Sequence, residues 1–93
     1  MVITEKKCAV IGYGSWATAI VKILTENGIH VNWHILNEDI IASVESGGRN
    51  CKYLREVDLD NTLIKVSRDI NEVVRDASRV VLAMPSAFMK DVM

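Results

Sequence analysis

Ninety-three residues amount to one domain, and a chain this short buries only roughly 60% of the surface its unfolded form exposes. Eleven Lys and Arg against twelve Asp and Glu leave a net charge of −1, which argues against a nucleic-acid partner, since such a partner selects a basic excess or stripe. A composition 49% hydrophobic and 25% charged is that of an ordinary globular protein, and no apolar run reaches the ~18 residues that membrane insertion as a helix needs.

The first seven residues carry charge but no apolar stretch of the secretory kind. Lys7 to Ile11 is a short apolar run with the β-branched content of a strand buried on both faces. After Gly12 the period changes. Ala17, Ile20, Val21 and Leu24 recur at helical spacing, and Asn27-Gly28 supplies a stop. His30 to Ile35 is a second extended run. Asn37 can cap a helix with the apolar stripe Ile40, Ile41 and Val44, which Gly47-Gly48 ends. Gly47 to Asn61 is polar and without clear period, and connections this long are often functional. Leu63 to Val66 reads as a third strand. Asp69 and Glu72 offer an Asp-x-x-Glu variant of the capping box, ahead of a helical face made by Ile70, Val73, Val74 and Ala77. Arg79 to Ala83 is a fourth strand, followed by Pro85-Ser86 and the start of another helix.

Strands alternating with helices call for a parallel sheet, because each crossover must return over a sheet face. The expected architecture is therefore a doubly wound α/β fold, a partial Rossmann sheet of about four strands in the order 3-2-1-4. A complete dinucleotide-binding domain has about six strands, so the expectation is a piece of a longer protein, and strand four is expected to lie at an open edge.

Cys8 and Cys51 have neither Cys-x-x-Cys spacing nor paired histidines beside them. That reads against a disulfide framework or zinc site and for a reducing, cytoplasmic compartment, with Cys8 as a small buried hydrophobe. His30 and His34 share a strand face but have no third ligand at motif spacing. Trp33 is expected in the core or packed on the adenine side of a nucleotide. Lys52 and Lys90 read as solvated surface.

Gly12-Tyr13-Gly14-Ser15-Trp16-Ala17 fits Gly-x-Gly-x-x-Gly/Ala between a strand and a helix. Gly12 permits the tight turn, Gly14 removes the side chain that would block a pyrophosphate, and Ala17 lets the helix pack closely on the sheet. The N–H groups at the helix start then face an anion. A glycine turn alone is a weak signal, but in full βαβ context it points to a dinucleotide, and its spacing excludes the longer loop that ends in Gly-Lys-Ser/Thr. The usual acid at the end of strand two is missing from His34-Ile35-Leu36-Asn37. Glu38 and Asp39 read as first-turn helix charges. No arginine stands there to meet a 2′-phosphate, so NAD is favoured slightly over NADP. The ligand crevice of such sheets lies where strand order reverses, which sets Gly12–Trp16 beside Met84-Pro85-Ser86, with Pro85 fixing the chain as it leaves the strand.

Three stretches carry a resemblance. Gly12-Tyr13-Gly14-Ser15-Trp16-Ala17-Thr18-Ala19 resembles the Gly-x-Gly-Ser-Trp-Gly-Thr-Ala loop of NAD(P)-dependent glycerol-3-phosphate dehydrogenases. Asn50-x-x-Tyr53-Leu54 resembles that family's Asn-x-x-Tyr-Leu-Pro, and Met84-Pro85-Ser86-Ala87-Phe88 its Val-Pro-Ser-x-Phe. They fall in family order from about Lys7 onward. The resemblance implies hydride transfer between NAD or NADP and glycerol 3-phosphate or dihydroxyacetone phosphate, in phospholipid synthesis, by a cytoplasmic enzyme that is a homodimer when full length. It implies that Ser15 and Trp16 contact the cofactor and that Phe88 lines the nicotinamide side. Departures are Ala17 for Gly, Arg55 for the motif proline, and Leu36 where many bacterial members carry Arg or His, which weighs against NADP. The family's catalytic lysine and substrate-phosphate residues have no counterpart here. The expectation is an inactive amino-terminal cofactor domain with no catalytic or metal-binding residue of its own. A free-standing NAD-binding module is the other reading, and the second and third motifs favour the enzyme.

Overall fold

The computed structural model describes residues 7–83. Strand β1 (Lys7–Ile11), helix α1 (Ser15–Glu26), β2 (His30–His34), α2 (Glu38–Gly47), a 3-10 turn (Asn61–Leu63), β3 (Ile64–Ser67), α3 (Ile70–Val74) and β4 (Arg79–Leu82) follow in that order. All strand pairs are parallel and the order is β3-β2-β1-β4, as the sequence predicts. Pro85, Phe88 and the helix expected after Ser86 lie outside the described residues.

Position in the sheet explains the composition of each strand. β1 is central, and Cys8 to Ile11 are all buried, which is why that run is continuously apolar. β2 alternates instead, with Val31 and Trp33 inside and His30, Asn32 and His34 half-buried. Register aligns Val10, Trp33, Val66 and Val81 in one row across the sheet. That row meets Ala17 and Val21 of α1 and Ile40 and Val44 of α2 in a single core. The opposite face takes α3, where Asn32 Nδ2 donates to the Val73 carbonyl at 3.1 Å. Burial pushes the Cys8 thiol up from its ordinary pKa, so it stays protonated at neutral pH. No helix among the described residues is long and apolar enough to cross a membrane.

Helix ends follow local chemistry. Asn37 Oδ1 caps α2, accepting from the Asp39 and Ile40 N–H groups at 2.9 and 3.2 Å, and Gly48 closes it in the left-handed region at φ +67. A Cβ on Gly48 would stand 2.6 Å from the Leu59 carbonyl oxygen, the residue whose N–H bonds back to Gly48 at 2.7 Å. Gly48→Ala therefore meets both a strained φ and a backbone that is tied in place. The expected loss is about 2–3 kcal/mol, read from the urea unfolding midpoint.

The last helix departs from its expected length. α3 ends at Val74 instead of running to Ala77, Val73 is its one buried residue, and Ile70 is 44% exposed. The cause is the neighbouring strand. Ser78 donates from both N–H and Oγ to the Lys7 carbonyl, at 2.9 and 3.0 Å, which draws the chain into the sheet. The expected capping box is also only half made. Asp69 Oδ1 accepts from Asn71 N–H, but the Asp69 N–H is taken by Ser67 Oγ, and Glu72 turns to Lys65 at 3.6 Å.

Candidate dinucleotide site

The glycine loop leaves the carboxyl end of the central strand. Gly12 has φ +118, a conformation that L side chains rarely adopt, so the turn out of β1 needs glycine. Three successive carbonyls of this loop are then held from the protein side. Trp33 Nε1 donates to the Gly12 carbonyl at 2.6 Å, and Asn50 Nδ2 to that of Tyr13 at 3.0 Å. The Gly14 carbonyl accepts from both Thr18 N–H and Thr18 Oγ1, at 3.0 and 2.8 Å. Ala17 is fully buried in the core beneath, the close helix–sheet contact that its small size was expected to allow.

What remains outward is the start of α1. Gly14 is its N-cap with no side-chain hydrogen bond, and no acid stands in the first turn. The first-turn N–H groups have no partner within the helix, and the helix dipole leaves partial positive charge on them. α2 and α3 differ: Asn37 and Asp69 cap them, and acids occupy their first turns. Among the described residues, a Cβ at Gly14 would meet nothing within 4 Å, so the space above the loop is open on their side. Ser15 and Trp16 are exposed beside it, Trp16 at 80%. Open space over unpaired donors fits a pyrophosphate.

The strand order reverses at β1. β2 lies on one side and β4 on the other, and Ala83 N–H to the Ile11 carbonyl, at 2.8 Å, carries the pairing to the end of β1. The end of β2 forms the other rim. Leu36 is half exposed there, and Asn37 is occupied as a cap. The sequence shows no arginine after β2, yet the fold brings one from the end of β3. Arg68 Nη1 donates to Glu38 Oε1 at 2.8 Å, and His34 Nε2 donates to the Arg68 carbonyl at 3.1 Å. The register of β2 with β3 is the only signal that could have foretold it. Trp33, left open between core and adenine packing, is core.

The polar stretch after Gly48 is the largest surprise. It has neither helix nor strand between Arg49 and Asp60, but it is fastened at several points. Arg49 pairs with Asp58 at 2.6 Å, holding that carboxyl below the usual range. Lys22 Nζ donates to the Asp58 carbonyl, and Leu59 enters the core. Asn50 is fully buried against the glycine loop, so two of the three resembling motifs touch.

A family model described as NAD-dependent glycerol-3-phosphate dehydrogenase N-terminus matches residues 7–93. The chain belongs to this family. A Bacillus subtilis (strain 168) relative, glycerol-3-phosphate dehydrogenase [NAD(P)+], is 35% identical over 95% of this chain and 25% of its own length. A Treponema denticola relative of the same name is 37% identical over 89% of this chain and 23% of its own. The crystal structure of glycerol-3-phosphate dehydrogenase from Coxiella burnetii matches the fold with a TM-score of 0.73 at 23% identity, over 84% of this chain and 24% of that one. The chain thus spans about a quarter of the length of the curated relatives it matches. Seen as a member of this dehydrogenase family, it carries the glycine loop and the Asn50–Leu54 segment side by side.

Proposed function

We propose that this chain is the cofactor-holding domain of an enzyme that interconverts glycerol 3-phosphate and dihydroxyacetone phosphate using NAD or NADP. The observation that carries the reading is the open, donor-lined space over Gly14, with all three loop carbonyls turned away from it. Gly14, Ser15, Trp16 and Ala17 offer N–H groups to the pyrophosphate, while Gly12 and Tyr13 set the turn that presents them. The family resemblance assigns Phe88 to the nicotinamide side, and Pro85 is expected to fix the chain as it leaves the fourth strand; both lie outside the described residues. The nicotinamide ring, when bound, accepts or donates the hydride. The catalytic lysine and the residues that hold the substrate phosphate come from the remainder of the length seen in the relatives, and these 93 residues alone do not turn over substrate. In the whole protein the enzyme is a cytoplasmic homodimer serving phospholipid synthesis. Family membership favours this over a binding module without chemistry.

The rim beyond β2 supports NAD over NADP. Leu36 offers nothing to a 2′-phosphate, and the guanidinium at hand, Arg68, has the Glu38 carboxylate beside it, whose charge opposes a phosphate there. Tryptophan fluorescence tests both points. Trp16 is exposed in the loop and Trp33 is fully buried, so their emissions separate into a red and a blue component. Titration with NADH, corrected for nucleotide absorption, is expected to quench the red component saturably, at concentrations no higher than NADPH requires. Absence of saturable quenching with either nucleotide would reject the reading.

A further inference from the structure

We propose that Asn50 is a positioning residue for the pyrophosphate site: it sets the orientation of the peptide planes that aim the loop's N–H groups. The inference rests on the reading of the loop as a dinucleotide site. Asn50 is fully buried and uses its whole hydrogen-bonding capacity. Its Oδ1 accepts from the N–H groups of Lys52 and Tyr53, at 2.9 and 3.1 Å, which folds the chain back on itself and fixes which way the amide faces. Its Nδ2 then has two partners, the Tyr13 carbonyl and Thr18 Oγ1, both at 3.0 Å. Since Thr18 Oγ1 spends its proton on the Gly14 carbonyl, it can only accept from Asn50. The result is a directed relay from Asn50 through Thr18 to Gly14, with a second branch to Tyr13.

Peptide planarity converts that relay into an effect on the ligand side. In a trans peptide the C=O and the following N–H point in opposite directions. A Tyr13 carbonyl drawn toward Asn50 turns the Gly14 N–H the other way, and a Gly14 carbonyl drawn toward Thr18 does the same for Ser15. Asn50 acts through these planes and touches no ligand. Gly14 would otherwise let the Tyr13–Gly14 plane rotate freely, whereas the Gly14–Ser15 plane is also held by the Thr18 N–H and is only reinforced by the hydroxyl. The arrangement gives the Asn50 motif a task that a long polar connection does not need for folding alone.

Two variants separate aiming from folding. Thr18→Val keeps the shape, adds no charge and removes the hydroxyl that links Asn50 to the Gly14 carbonyl, leaving the Thr18 N–H bond and the Asn50–Tyr13 bond in place. Asn50→Asp keeps both contacts to Lys52 and Tyr53 but removes both donations. NMR titrations of the chain with ADP-ribose and with adenosine, alongside amide spectra, give the readout. In each folded variant the Gly14 and Ser15 amide resonances should shift while those of the sheet stay. ADP-ribose affinity should fall about tenfold or more in Asn50→Asp and about threefold or more in Thr18→Val, and adenosine affinity should change less than about twofold in both. If Asn50→Asp does not fold, Thr18→Val decides. Equal weakening of both ligands, or ADP-ribose affinity within twofold of the parent, would overturn the proposal. Failure of the parent chain to bind ADP-ribose would instead overturn the dinucleotide reading beneath it.

Discussion

Gly14→Val is expected to remove measurable NADH binding, a loss of more than about fiftyfold, while leaving the fold in place. The two effects separate because of where the new side chain goes. Gly14 has φ −84, a conformation any residue adopts, and its missing Cβ faces open space. Valine therefore meets no atom of the described residues there, and the structural cost is that of a poor N-cap, about 1 kcal/mol. The same methyl groups occupy the space over the helix start, where a phosphate oxygen must come within hydrogen-bonding distance of the N–H groups. Fluorescence titration measures the first effect and the urea midpoint the second. Unchanged NADH affinity in a folded Gly14→Val chain would dismiss the loop as the cofactor site.

Trp33→Ala is expected to have the largest effect on stability, a loss of about 3–5 kcal/mol. Trp33 is the largest fully buried side chain, and it lies in the row that joins all four strands. Truncation empties the middle of the core and strands the Gly12 carbonyl, whose donor is the indole at 2.6 Å. Since small domains are stable by only about 5–15 kcal/mol, much of the total goes. Trp33→Phe should lie between, losing about 1–3 kcal/mol, because it keeps most of the packing and forfeits the hydrogen bond. Urea unfolding followed by circular dichroism orders the three chains. Equal stability for Trp33→Phe and the parent would mean that the bond to Gly12 contributes nothing.

Much of this was legible in the sequence because it is local. The switch from a strand run to helical spacing at Gly12, the Asn37 cap and the Gly48 stop all act within a few residues. The alternation of these signals also implied the order 3-2-1-4. The Gly-x-Gly-x-x-Ala loop was legible for the same reason, since its chemistry is contiguous. What was hidden depends on register and long-range closure. Arg68 reaches the rim only because β3 lies in register beside β2, and no spacing rule marks it. Asn50 carries no periodic signal, and its partner Tyr13 is 37 residues away. Thr18 and Thr25 are buried in α1, where the apolar stripe had pointed to Ile20 and Leu24. Hydroxyls bonded to carbonyls of their own helix can be buried at low cost, and hydropathy does not register that. The overlong expectation for α3 has the reverse cause, a helical pattern overridden by the pull of a sheet edge.

The fastening of Tyr13 by Asn50 also sets a timetable for biosynthesis. A ribosome adds about 5–20 residues per second, so the 37 residues between the two take roughly 2–7 s to make. Throughout that interval the glycine turn is already outside or in transit, yet the amide that orients it does not exist. On the proposed role of Asn50, a nascent chain is expected to hold dinucleotide only weakly on the half-made loop. An aimed loop then exists only once the segment after α2 has been synthesised and has docked, when β2 is already made beside β1 and β4 is still to come.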